Sequence, residues 1–115
     1  KEKIKGGDYD ICFYGWIGDN GDPDNFMYLL AHEDPTMNVA RYQNPEFNRL
    51  IEEGVKTQAG PERNKIYTEL EKIAAADAVW LPISHAQTLA AYRPEVQNFL
   101  YHVTGVTPFA KVSKQ

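Results

Sequence analysis

Two segments in the middle of the chain carry apolar residues at helical spacing, and each opens on a residue pair that starts helices. Asn44-Pro45 opens the first. An asparagine side chain accepts free amide hydrogens of a first helical turn, and proline, which has no amide hydrogen, fits the first helical position. Phe47, Leu50, Ile51 and Val55 then recur at spacings of three and four, leaving Arg49, Glu52, Glu53 and Lys56 on the wet side. Gly60-Pro61 breaks the pattern and starts a second stripe of Ile66, Tyr67, Leu70, Ile73 and Ala74. Glu62, Lys65, Glu69 and Lys72 form exposed pairs three and four residues apart on that helix. Two amphipathic helices joined by a short break pack as a hairpin. Neither stripe holds a catalytic pair, so both helices are read as scaffold.

The stretch with chemical content lies earlier, at YDICFYGWIGDNGDPDNF, residues 9–26. Ile11, Phe13 and Gly15 alternate with Cys12, Tyr14 and Trp16, the period of two expected of a strand. Turn formers follow: Gly18, Asp19, Asn20, Gly21, Asp22 and Pro23. Phe26, Leu29 and Leu30 recur at helical spacing, which predicts a short helix over 23–31 with Asp22 as its cap and Pro23 at its first position. Asp24 then falls in the first turn, where the helix dipole favours a carboxylate. Asp19 follows the strand directly and no capping task falls to it. It is a candidate ligand group, with a simple turn role as the alternative. A calcium loop does not fit. Starting at Asn20 puts Asn25 where glycine is needed and Ala31 where glutamate is needed.

A chain of 115 residues makes one domain of ordinary size. Its 43% apolar and 24% charged residues are those of a globular protein, and a net charge of -4 argues against nucleic acid or an anionic membrane as main partner. No apolar run reaches the length needed to span a bilayer. The chain begins at Lys1 rather than methionine, so a cleaved leader or a larger parent is expected. Cys12, the one cysteine, has no partner for an internal disulfide or a metal site and reads as a small buried hydrophobe.

Residues 32–43 lack a clean period and read as a loop, with an extended stretch near 39–42. Val79 to Tyr92 reads as a second strand region, held to an edge or bend by Pro82. His85 within it could serve as a base, yet no serine or cysteine nucleophile accompanies it, so a structural role is expected. His32 and His102 are too scattered for a metal site. Residues 96–101 and 103–112 offer short extended pieces. The expected class is α+β, a helix hairpin packed on a small sheet.

Four pieces in order resemble the carboxy-terminal portion of the family-5 extracellular solute-binding proteins of bacterial ABC peptide importers, and most closely the dipeptide-binding members. They are GWIGDNGDPDNF from Gly15, NPEFNRLIEEG from Asn44, RNKIYTELEKIAAADAVWLPISHAQ from Arg63 and YRPEVQNF from Tyr92. The first is the most specific. The resemblance implies that Asp19 binds the α-ammonium of a peptide, that Gly15 and Ile17 offer main-chain contacts, and that Trp16 walls the pocket. It implies no cofactor, metal or catalysis.

It also implies a mixed α/β fragment of a two-lobed receptor, with residues 1–85 from the second lobe and 86–115 returning toward the first. Expected partners are a short peptide and a cognate ABC permease, in the periplasm or outside the cell, the intact protein being either free or lipid-anchored. Relatives of this shape carry glutathione, haem, oligopeptides or nickel, which are the rival cargoes. The rival from another class is a small hydrolase using Asp19 and His85. Trp80, Phe99 and Phe109 are expected to be exposed in an excised piece and to promote a homodimer.

Overall fold

The computed structural model describes residues 2–84, 87, 89–102, 105 and 108–115. Contacts group the chain into two units, Lys1–Pro82 and Ile83–Gln115. The class is α+β, as expected, with four α-helices and one two-stranded sheet among the described residues.

In the first unit the helices are α1 (Glu2–Gly6), α2 (Asp24–Ala31), α3 (Pro45–Lys56) and α4 (Pro61–Ala76). The capping chemistry of α3 is as the sequence predicts: Asn44 Oδ1 accepts from the amides of Glu46 at 3.0 Å and Phe47 at 3.1 Å. The amide group of the same side chain donates to Asp77 Oδ2 at the end of α4, 3.1 Å away, which ties the open end of the hairpin. The Tyr42 hydroxyl also donates to Asp77. These two donors hold the Asp77 carboxyl below its ordinary pKa.

The core is formed by Leu30 of α2, Phe47, Leu50 and Ile51 of α3, and Tyr67, Leu70 and Ala74 of α4, with Ile66 and Ile73 partly buried against it. So α3 packs against α4 on one side and α2 on another. Val55, expected on the apolar stripe, is instead 55% exposed, and Gly54 takes the buried place. The reason is steric. A Cβ at position 54 would stand 3.0 Å from the Tyr67 ring, so glycine is what lets that ring approach the helix.

The loop after α2 has its own organiser. Buried Asn38 donates to the carbonyls of Leu30 at 3.1 Å and Tyr42 at 2.9 Å and accepts from the Tyr42 amide at 3.1 Å. Residues 39–40 form a turn and Arg41 has φ 52°, so the extended stretch expected at 39–42 is replaced by a tight bend. At the start of the chain, residues 2–6 close one helical turn.

Residues 9–16 are not a strand. They run extended without regular pairing, and no backbone–backbone hydrogen bond among the described residues involves residues 9–21. The period of two survives in part as exposure: Ile11 (93%), Phe13 (85%) and Ile17 (79%) face solvent and Cys12 and Trp16 are half-buried, but Tyr14, on the face of Cys12 and Trp16 by alternation, is exposed too. Cys12 is thus less buried than the sequence suggested. No strand occurs either among the described residues of 79–92.

In the second unit β1 (Val96–Gln97) pairs antiparallel with β2 (Ser113–Lys114), Val96 opposite Lys114 and Gln97 opposite Ser113. A 3₁₀ turn over Phe109–Lys111 leads into β2. Phe99 is half-buried against the Tyr92 ring, centroids 5.0 Å apart, rather than exposed, whereas Phe109 is exposed as expected. Trp80, in the first unit, is also exposed.

Candidate functional site

The loop between the extended segment and α2 is built by local hydrogen bonds. Asn20 Oδ1 accepts from the Asp22 amide at 3.0 Å, and Gly21 takes the left-handed conformation with φ 74°, a place where glycine has no steric penalty. Asp22 Oδ1 accepts from the Asp24 amide at 2.9 Å, and its carbonyl accepts from the Asn25 amide at 3.1 Å. Asp22 therefore caps the turn that opens α2. The helical hydrogen bonds proper begin one residue later than the sequence predicts, with Pro23 at the cap position.

The loop is clamped to the helix hairpin by Arg63. Its guanidinium donates to both Asp22 oxygens at 2.9 and 2.8 Å, to the Gly54 carbonyl at 2.9 Å and to the Tyr67 hydroxyl at 3.1 Å. It also lies over the Tyr67 ring, 4.7 Å from the centroid. The Tyr67 hydroxyl in turn donates to Asp24 Oδ1 at 3.3 Å. The Arg63 guanidinium holds the Asp22 carboxyl below the usual carboxylate range. Burial, with Asp24 nearby, pushes the Tyr67 phenol up to about 12. With Arg63 only 13% exposed and Asp22 36%, the pair is intermediate between a surface and a buried ion pair.

On this frame the predicted site residues come together in part. Asn25, in the first turn of α2, accepts through Oδ1 from Trp16 Nε1 at 2.9 Å and from the Asp19 amide at 3.2 Å. Trp16 and Asp19 are thus fixed to one atom. Gly18 lies so close to the Phe26 ring that a Cβ there would be 2.7 Å from it. The Asp19 side chain is exposed and, among the described residues, has no cation within ion-pair distance. Gly15 and Ile17 are exposed on the extended run, and their main-chain groups make no backbone pair with a described residue. His85, the base of the rival hydrolase reading, lies outside the described residues.

Asn25 and Arg63 were missed from sequence. Arg63 carried a signal: it stands four, seven and eleven residues before Tyr67, Leu70 and Ala74, so it falls on the buried stripe and needs an anion. Asn25 carried only the weak signal of a poor helix former early in a helix.

Among the described residues no cluster of three His, Cys, Asp or Glu side chains could hold a metal, and no helix is long and apolar enough to cross a membrane. An open groove of about 560 Å³ lies elsewhere, lined by His32, Glu33, Asn38, Arg41 and Asn48 among others. Asp19 is not part of it.

No family model and no solved structure matches the chain. Among curated proteins, a probable di/tripeptide-binding protein 5 of Pseudomonas aeruginosa is 35% identical over 96% of this chain. Heme-binding protein A of Haemophilus influenzae is 33% identical over 98%, and the peptide transport periplasmic protein SapA of Salmonella typhimurium is 29% identical over 93%. The chain spans about a fifth of the length of these relatives: 22%, 21% and 20% respectively.

Proposed function

We propose that this chain, a relative of the bacterial solute-binding proteins of peptide transport, is part of a receptor that captures short peptides for import and does not alter them chemically. Asp19 takes the peptide's free α-ammonium, Gly15 and Ile17 pair with its main chain, and Trp16 walls the pocket. The observation that carries this reading is the exposed Asp19 carboxylate at the end of an extended run whose main chain has no described backbone partner. A strand with free amides and carbonyls accepts another extended peptide by strand addition, and an adjacent carboxylate selects a cationic terminus. The kinship with di/tripeptide-binding proteins supports the same cargo. The division of the chain between two lobes, delivery to an ABC permease and a location in the periplasm are part of the same proposal.

Calorimetry on the gene's complete product tests it. A charge-assisted bond contributes about 1.5 to 3 kcal/mol, so acetylating the peptide amine should weaken binding roughly ten- to hundredfold. Asp19→Asn should abolish that discrimination. Equal affinity for free and acetylated peptides would overturn the assignment. Haem, the cargo named for one relative, carries carboxylates and no amine, and its binding would be improved rather than weakened by Asp19→Asn. The isolated 115 residues should bind peptide weakly or undetectably. They should also self-associate through exposed Ile11, Phe13 and Ile17; a clean monomer by light scattering at high concentration would refute that.

A further inference from the structure

We infer that Asn25 is the positioning residue of this site, one side-chain oxygen that holds the Trp16 indole and the Asp19 amide together and so sets where the Asp19 carboxylate is presented. This rests on the peptide-binding reading above. The geometry is specific: Oδ1 receives Trp16 Nε1–H at 2.9 Å and Asp19 N–H at 3.2 Å, a full complement for a carbonyl-type oxygen with two lone pairs. The two donors come from either side of Gly18, which itself sits against the Phe26 ring.

Asn25 stands on an element tied to the helix core by packing and hydrogen bonds, whereas the residues it holds lie on a run without backbone pairing among the described residues. Asn25 belongs to the first turn of α2, which packs on α3, and that turn is pinned through Asp22 and Asp24 to Arg63 and Tyr67 of α4. Residues 12–18, by contrast, have no ladder among the described residues to set their height or rotation. Side-chain bonds from a helix thus replace the missing ladder as the reference for Trp16 and Asp19. A positioning group of this kind acts by pre-organisation: without it the carboxylate samples more directions, and each bound peptide must order it.

The test separates positioning from folding and from the binding reading. In a Trp80→Phe background, the Trp16 indole N–H resonance and the hydrogen exchange of the Asp19 amide report the two bonds directly. Asn25→Ala should move the indole resonance toward that of a solvated indole and speed Asp19 exchange, while helical circular dichroism is retained because alanine is the better helix former. Peptide affinity of the complete gene product should fall about five- to tenfold, the loss of roughly one hydrogen bond's stabilisation. Asn25→Asp keeps the acceptor oxygen and should restore the indole resonance, the amide protection and most of the affinity. Unchanged spectra in Asn25→Ala, or no rescue by Asn25→Asp, would overturn the inference. If Asp19→Asn destroys the preference for a free amine while Asn25→Ala leaves affinity intact, the inference alone falls and the binding reading stands. If Asp19→Asn leaves both affinity and preference intact, the binding reading falls, and with it the role given to Asn25.

Discussion

Replacing Arg63 by methionine should destabilise the first unit by about 2 to 3 kcal/mol. The methionine stem occupies much of the space of the arginine stem, so the loss is mostly polar. Three acceptor groups are left without their donor. The Gly54 carbonyl sits on a buried residue and receives Arg63 Nε at 2.9 Å; an orphaned buried carbonyl costs about 1 to 2 kcal/mol. The two Asp22 oxygens lose bonds of 2.9 and 2.8 Å, but at 36% exposure the carboxylate rehydrates, so roughly 1 kcal/mol remains after solvent screening. The Tyr67 hydroxyl keeps its bond to Asp24 and adds little. For a unit of this size the sum lowers the melting temperature by about 10 to 15 °C.

Urea unfolding followed by helical circular dichroism measures the loss. Arg63→Lys should recover less than half of it, because an ammonium cannot reach both Asp22 oxygens and the Gly54 carbonyl with one planar fork. Combining Arg63→Met with Asp22→Asn should show a coupling of about 1 kcal/mol. A loss below about 0.5 kcal/mol in Arg63→Met, or no coupling to Asp22, would mean that the clamp does not hold the loop.

Gly54→Ala gains helix propensity of about 1 kcal/mol but sets a methyl 3.0 to 3.2 Å from a Tyr67 ring that is pinned by Arg63 and Asp24, so net destabilisation of about 1 kcal/mol is expected in urea; a more stable variant would show that the ring can yield. Acid should weaken the unit through Asp22. Its folded pKa lies below the ordinary 3.8, so its contribution is complete above that value and disappears as pH falls through the folded one, and Asp22→Asn should flatten unfolding midpoints against pH in that window. Asn38→Ala strips the three hydrogen bonds of a buried side chain, of 3.1, 2.9 and 3.1 Å, and should cost about 2 to 3 kcal/mol. A change under about 0.5 kcal/mol would show that water replaces the amide there.

Helices α2, α3 and α4 were legible because their hydrogen bonds close within the segment that encodes them. Asn44 caps α3, and the stripe of Tyr67, Leu70 and Ala74 faces the core, both from spacing alone. Where the reading slipped by one place, at Val55 and Gly54, the cause was long-range: the Tyr67 ring of the other helix decides which residue can be buried. Arg63 and Asn38 were obscure for the same reason, since their partners lie in other elements or across a turn whose shape no periodicity announces.

Strands differ in kind. Alternation over residues 11–17 proposed the faces, and the structure keeps them in part, with Ile11, Phe13 and Ile17 out and Cys12 and Trp16 inward, while Tyr14 of the inward set is exposed. What a segment cannot encode is the second chain that accepts its hydrogen bonds, because that partner is set by residues elsewhere. The extended run from 12 to 18 is therefore a strand in pattern and not in pairing among the described residues. Its orientation has to come from side chains instead, and the bonds that supply it end on Asn25. This is why the proposed ligand residue Asp19 could be singled out from sequence by what it lacks, a capping task, whereas the residue that orients it could not.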